Sequence, residues 1–176
     1  MKKIKQFILF GCTLILIATV LSGCTQENNH QNLSYINQEY GFELIPPEGW
    51  TVNENTQDPV KFFCPDQNDY QVNLAIKKPI LSNETLNTAV EQLIGYYTES
   101  YFKNFSLISS KPMTINDLDA YEIVFSEGRE PYLLQHKQVF FEKNKKIYSI
   151  VYTSLVTTFD TYISVVDQSI NSFTII

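Results

Sequence analysis

The run Tyr121-Glu122-Ile123-Val124-Phe125-Ser126, followed by Leu133 to Phe141 and then by Ile147 to Leu155, decides the fold class. In the first segment Tyr121, Ile123 and Phe125 alternate with Glu122, Val124 and Ser126, the period of a strand whose two faces differ. Gly128 to Pro131 predicts a bend before the second strand. Asn144, Lys145 and Lys146 form a short polar turn before the third, which makes the last two strands a hairpin. The third strand carries apolar residues on both faces, Ile147 and Val151 against Tyr148, Ile150 and Tyr152. A strand of that kind belongs in the middle of a sheet with cover on both sides.

Working outward, Tyr70 to Lys77 predicts another strand, with Tyr70, Val72, Leu74 and Ile76 on one face, Gln71, Asn73 and Lys77 on the other, and Pro79 as its end. Val60 to Cys64 and Phe105 to Ile108 read as further strands. Lys111-Pro112 reads as an edge or bend, because proline removes a ladder donor, and Asp117-Leu118-Asp119 as a turn. From Glu84 to about Lys103 the apolar positions Leu86, Val90, Leu93, Tyr97 and Tyr101 recur at three and four residues, predicting a helix capped by Asn83. A second helix is expected at the end, with Thr157 and Asp160 as a capping box and Phe159, Tyr162, Ile163, Val166, Ile170 and Phe173 as its stripe. Ser169, Asn171 and Ser172 predict fraying of that helix. Strands, helix, strands and helix, joined by hairpin-like links, indicate an α+β domain with a largely antiparallel sheet and helices packed on it.

The start of the chain follows different rules. Lys2, Lys3 and Lys5 precede an apolar run from Phe7 to Leu21, the order of a secretory signal. The run is shorter than the roughly 20 residues a spanning helix needs. It ends in Leu21-Ser22-Gly23-Cys24, which resembles the lipobox of prokaryotic lipoproteins, where the cysteine receives lipid and the signal is cut before it. The expected organisation is a signal over 1–23, a polar tether over 24–39 from lipidated Cys24, and a domain over 40–176. Thr25 to Glu39 is rich in Asn and Gln and poor in core-forming groups, with Leu33, Tyr35 and Ile36 able to dock at its end.

Loss of Lys2, Lys3 and Lys5 with the signal takes the formal charge from −6 to −9. An acidic body argues against nucleic acid as a partner and against adsorption to anionic lipid, so attachment is expected to come from the lipid itself. Once Cys12 leaves with the signal and Cys24 carries lipid, Cys64 has no partner for a disulfide and reads as a small buried hydrophobe.

Residues at both ends of the domain resemble one family. Tyr40-Gly41-Phe42-Glu43-Leu44-Ile45-Pro46-Pro47-Glu48-Gly49-Trp50 is similar to the opening of the PsbP-like domain. Gln138-Val139-Phe140-Phe141, with Lys143 through Thr153, resembles its closing hairpin, and the terminal helix running into Ser172-Phe173 matches as well. The resemblance covers about Tyr40 to Ile175 and extends to the related DcrB-type lipoproteins. It implies an α/β/α sandwich around an antiparallel sheet and a non-enzymatic, accessory role. The best-known member stabilises the oxygen-evolving machinery of photosystem II, but no residue set here carries that role across.

Individual sites are few. His30 and His136 are the only histidines, no zinc-type spacing exists, and no nucleophile elbow is present, so neither a cofactor nor catalysis is expected. Asp66 and Asp69 share a loop without EF-hand spacing. Arg129 is the only arginine, able either to pair a carboxylate or phosphate or to bridge Glu127 or Glu130. Tyr96, Tyr97, Tyr101 and Phe102 wrap more than one side of their helix. Tyr96, Phe102 and Arg129 are therefore the candidate partner surface. The reading is a non-catalytic lipoprotein at the cell membrane, facing outside the cytoplasm, that binds or helps assemble a membrane protein complex. The alternatives are a carrier or sensor of a small ligand or cation, marked by a cleft with convergent polar groups, and a minor hydrolase, marked by a histidine or a raised-pKa carboxylate deep in a cleft.

Overall fold

Ten strands and two helices make up the computed structural model, which describes residues 33–65 and 70–176. The expectations for the signal, Cys24, His30, Asp66 and Asp69 lie outside the described residues. In chain order the elements are β1 (Tyr35–Asn37), β2 (Phe42–Leu44), β3 (Thr51–Asn53), β4 (Val60–Phe63), β5 (Asn73–Leu81), α1 (Leu86–Tyr96), β6 (Ser106–Ile115), β7 (Leu118–Arg129), β8 (Tyr132–Lys143), β9 (Lys146–Leu155), α2 (Phe159–Asn171) and β10 (Thr174–Ile175). Seven strands form one antiparallel sheet in the order β3-β4-β5-β9-β8-β7-β6. A small antiparallel sheet has the order β1-β2-β10. The architecture is the α+β arrangement expected.

The middle position foreseen for the Ile147 to Leu155 strand is observed: β9 is the central strand of seven and is buried on both faces. Its tight link to β8 turns at Asn144 and Lys145, with φ of 53° and 61°. The β6–β7 link turns the same way at Asn116 and Asp117, with φ of 50° and 60°. Two consecutive positive φ values match the right-handed twist of the strands they join, which is why Asn and Asp are favoured there.

Each face of the large sheet has its own core. One core holds Leu74, Ile76, Val139, Phe141, Tyr148, Ile150 and Tyr152 from the sheet, with Phe159, Val166, Ile170 and Phe173 from α2 and its end, and Phe42 and Ile175 from the small sheet. Cys64 is buried there as expected. The other core is smaller: Leu86 and Val90 of α1 pack on Tyr121, Ile123, Phe125, Phe140 and Ile147.

Several local expectations give way. The stretch read as the end of the tether contains β1, because Tyr35 stacks on Phe42 and Phe62 at ring distances of 6.2 and 5.6 Å and so joins the core. Pro79 does not end β5, which runs on to Leu81 through a register shift between Lys77 and Ile80. Thr85, not Asn83, caps α1, accepting from the Thr88 amide. Thr157 and Asp160 form no capping box; Thr158 holds the cap position of α2 and makes no side-chain bond to the helix.

The serines that predicted fraying of α2 fasten it instead. Ser169 Oγ donates to the Ile45 carbonyl at 2.6 Å, and the Ile45 amide donates to Ser172 Oγ at 2.8 Å. Asn116 Nδ2 donates to the carbonyls of Asn171 and Phe173, at 2.8 and 3.1 Å. Orphan groups at the helix end are thereby satisfied across the fold.

Candidate functional site

On the α1 side of the large sheet, the pairing register sets side chains into rows. Lys61, Ala75, Val151, Gln138 and Ile123 make one row across β4, β5, β9, β8 and β7. Phe63, Asn73, Thr153, His136 and Phe125 make the next. The short helix α1 covers the β7 and β8 part of these rows. Over β5 and β9 the floor is lowered by the small Ala75, and a cleft of about 360 Å³ opens there. Its floor is Asn73, Ala75, Val151, Thr153, His136 and Gln138, and its walls include Tyr70, Tyr97, Tyr101 and Phe102. That volume is within the size of ordinary small-ligand pockets.

The aromatic wall has a backbone cause. After Tyr96 the helix widens into a π turn over Tyr97–Tyr101, closed by the Phe102 amide donating to the Tyr97 carbonyl at 3.3 Å. Bonding five residues apart brings Tyr97 and Phe102 to one side, with ring centroids 4.9 Å apart, and Tyr101 sits 4.6 Å from Phe102. Such π turns inside helices are often found at functional sites. Tyr97 also reaches the floor: its hydroxyl donates to Gln138 Oε1 at 3.2 Å, while Gln138 Nε2 donates to Ser149 Oγ at 2.7 Å. Burial pushes the Tyr97 phenol up to about 12, so it stays a neutral donor.

At the β7 end lies a buried polar chain. His136 Nδ1 is 3.0 Å from Thr153 Oγ1, and His136 Nε2 is 3.4 Å from Glu127 Oε1. Arg129 Nη2 stands 2.9 Å from the same Glu127 oxygen. His136 is 5% exposed and Glu127 2%. Neither His136 Nε2 nor Glu127 Oε1 has a hydrogen bond of good geometry within the protein. Burial holds the imidazole below its ordinary pKa despite the adjacent carboxylate, so His136 is neutral near pH 7. Phe125 and Phe102 stack on its ring at 4.7 and 5.9 Å. The same segment borders a second cavity of about 450 Å³, lined by Tyr101, Phe102, Asn104, Glu127 and Arg129 among others.

The cleft inverts the charge of the body around it. Lys61, Lys77 and Arg129 line it, and no carboxylate does so among the described residues. Lys61 and Lys77 converge on one oxygen, Asp58 Oδ2, at 3.3 and 3.1 Å.

Of the three residues read as a partner surface, Tyr96 is exposed and Arg129 lies at the cleft, paired with Glu127 in the internal bridge weighed above. Phe102 is different: it packs against the α1-side core, with its ring near Tyr97, Phe105 and Phe125, because the π turn rotates it inward. Phe102→Ala is expected to cost about 1–2 kcal/mol for a half-buried ring, and Tyr96→Ala less than about 0.5 kcal/mol. Denaturant unfolding of both variants checks this, and equal losses would return Phe102 to the surface.

Lys61, Tyr70, Asn73 and Lys77 were not singled out from sequence. Alternation had set Tyr70 on the apolar face with Val72. In the structure β5 starts only at Asn73, and Tyr70 turns to the cleft. The polar alternate positions Asn73 and Lys77 were the available signal, but a polar face ordinarily means solvent.

Among the described residues no group of three His, Cys, Asp or Glu side chains is placed to hold a metal ion, and no helix is long and apolar enough to cross a membrane. The family described as PsbP-like protein matches residues 18–175. Solved structures share the fold. LpqN of Mycobacterium tuberculosis, involved in cell envelope biogenesis, has 13% identity and a TM-score of 0.62 over 84% of this chain and 92% of its own. Cyanobacterial PsbP from Synechocystis sp. PCC 6803 has 16% identity and 0.61 over 82% and 92%. A Pseudomonas aeruginosa protein of unknown function has 16% identity and 0.59 over 80% and 94%. No curated protein matches the chain.

Proposed function

Since the chain belongs to the family of PsbP-like proteins, we propose that it is a non-catalytic binding protein held at the outer face of the cell membrane by lipid on Cys24, with the α1-side cleft as its recognition site. The observation that carries this reading is the cleft itself, where polar groups from β5, β8 and β9 converge beneath an aromatic wall. That arrangement is the mark set for a ligand-binding role, and it moves the weight from a flat partner surface to a concave site. His136 deep in the cleft is also the mark set for a hydrolase. It is neutral, boxed by two aromatic rings, with Nδ1 against the buried Thr153 hydroxyl and Nε2 facing Glu127. That favours a structural part for the dyad.

A second reading, an assembly subunit that meets a membrane protein through the π turn, is favoured by the exposure of Tyr96 and Tyr101 beside the cleft mouth. The likeness to LpqN, involved in cell envelope biogenesis, is compatible with either.

Purification of the lipidated protein from gently solubilised membranes tests the proposal. Native mass spectrometry is expected to find a bound species with the wild type that is lost in Asn73→Trp, a variant that fills the cleft, at unchanged melting temperature. Retention of that species by Asn73→Trp refutes the cleft as the site. Metabolic labelling with an alkyne fatty acid is expected to mark the wild type and not Cys24→Ala; an unmodified thiol at Cys24 in the wild type overturns the anchor.

A further inference from the structure

We propose that the cleft takes a small organic anion, with a carboxylate or phosphate group held by Arg129, a field to which Lys77 and Lys61 add, and a ring held against Tyr70, Tyr97 and Tyr101. The inference rests on the cleft being the recognition site and adds the chemistry of its occupant.

Charge is the first argument. The chain has 19 acidic residues against 13 basic ones, yet cations alone line this cleft among the described residues. The other cavities do not share this: one is bordered by Glu84, Asp119 and Glu142 with Lys145, another by Glu127 and Glu130 with Lys103 and Arg129. Screening over about 8 Å at physiological ionic strength removes the distant acidic surface from the balance, so an occupant senses the local groups. Among the described residues Asp58 offsets one of the two lysines and Glu127 offsets Arg129, which leaves one positive charge. A net positive charge set among donors suits an anionic head and disfavours a metal ion or ammonium.

Geometry is the second argument. Arg129 has five N–H donors in a planar fork and engages Glu127 through one nitrogen, so it can still offer the paired donors that carboxylate and phosphate accept. Lys77 stands on β5 at the other end of the cleft, held by Asp58 at 3.1 Å, where it adds to the field an anion meets. Both cations line the same cleft, on either side of the His136 row. Arg129 and Tyr70 line the same cleft. Beside Arg129 lies the buried pair His136 and Glu127, with two polar atoms lacking a good hydrogen bond in the protein.

Shape is the third. The rings of Tyr97, Tyr101 and Phe102 lie 4.6 to 5.8 Å from one another, a spacing that continues readily onto a further ring. The cleft volume of about 360 Å³ admits a one- or two-ring molecule and not a folded partner.

Isothermal titration of the full lipidated chain in phosphatidylcholine nanodiscs tests the inference. The probes are phenyl phosphate, benzoate, neutral benzyl alcohol and inorganic phosphate. At least one anionic ring probe is expected to bind about tenfold more tightly than benzyl alcohol and than inorganic phosphate. Arg129→Gln is expected to weaken that probe by about fivefold or more and Lys77→Gln to a smaller extent; Lys77→Gln leaves Asp58 its Lys61, and the melting temperature of Arg129→Gln is followed beside its affinity because it removes the cation next to buried Glu127. Tighter binding of phenyl phosphate assigns the head as phosphate, and tighter benzoate assigns carboxylate. Benzyl alcohol binding as well as the anions, or unchanged affinity in both charge variants, overturns the anion. If the neutral ring binds and Asn73→Trp abolishes it, the cleft stands and only the charge inference falls. If no probe binds below about 10 mM, or Asn73→Trp leaves a bound probe in place, the inference is refuted and the cleft reading loses its support here.

Discussion

Phe173→Ala is expected to remove about 3–5 kcal/mol of folding stability and to lower the melting temperature by roughly 10 °C. Phe173 is fully buried just past α2, and its ring lies 4.7 Å from Phe141 of β8, 5.7 Å from Phe42 of β2 and 6.1 Å from Tyr148 of β9. It therefore ties the small sheet to the large one through a single side chain. The surrounding backbone is pinned by Asn116, Ser169 and Ser172, so the site cannot collapse to refill the space, and the cavity penalty adds to the lost transfer energy. Phe173→Leu keeps most of the volume and is expected to cost less than about 1.5 kcal/mol. Urea unfolding of both variants checks the pair. An alanine variant that melts within about 2 °C of wild type would show that the end of α2 is not locked to the core.

The contrast between core and cleft explains what could be seen in the sequence. A buried face leaves a periodic trace, because each inward position must be apolar: β9, with large side chains on both sides, announced its central place, and the stripe of α2 was read almost residue for residue. The seam at Ser169 and Ser172 left the opposite trace. Two hydroxyls on a helix lower its propensity, and only the approach of Ile45, more than 120 residues earlier in sequence, turns them into acceptors and donors for that backbone. The cleft was less legible for a related reason. Lys61, Asn73 and Lys77 look like solvent-facing positions of short strands, and what makes them a site is that α1 stops short of them. Helix length against sheet width is a tertiary fact. The π turn is another: the four-residue spacing of Leu93, Tyr97 and Tyr101 suits an ordinary helix, whereas the inward turn of Phe102 goes with its packing on Phe105 and Phe125.

The two sheet faces also divide their polar groups by purpose. On the α1 side the cations stand at the cleft, more open to solvent. On the α2 side Glu122, Lys137 and Asp167 are drawn into a network under the helix, where each charge is spent on another.

That network predicts the second large effect. Lys137 Nζ lies 2.9 Å from Glu122 Oε2 and 2.7 Å from Asp167 Oδ1, and Lys111 Nζ lies 3.2 Å from the other Glu122 oxygen. The side chains of Lys137 and Glu122 are 13% and 7% exposed, so removing the ammonium strands a carboxylate out of water. Lys137→Ala is expected to cost toward the lower end of roughly 3–5 kcal/mol, since Glu122 keeps the exposed Lys111. Lys137→Met with Glu122→Leu removes both charges in apolar form, and is expected to recover most of that loss. The pH dependence has two limits with opposite signs. For Glu122, burial raises the carboxyl, but hydrogen bonds and charge from Lys137 and Lys111 outweigh it, and its pKa lies below the ordinary 4.5. Its contribution is complete above 4.5 and is lost as pH falls through the lower folded value. For Lys137, burial lowers the ammonium, but Asp167 and Glu122 outweigh it, and its pKa lies above 10.5. Its contribution is complete below 10.5 and is lost as pH rises through the higher folded value. Stability of the wild type should therefore fall toward acid below 4.5 and toward alkali above 10.5, and the double variant should flatten both limbs. Chemical unfolding followed across pH separates the cases: limbs as steep in the double variant as in the wild type would place the titrating groups elsewhere.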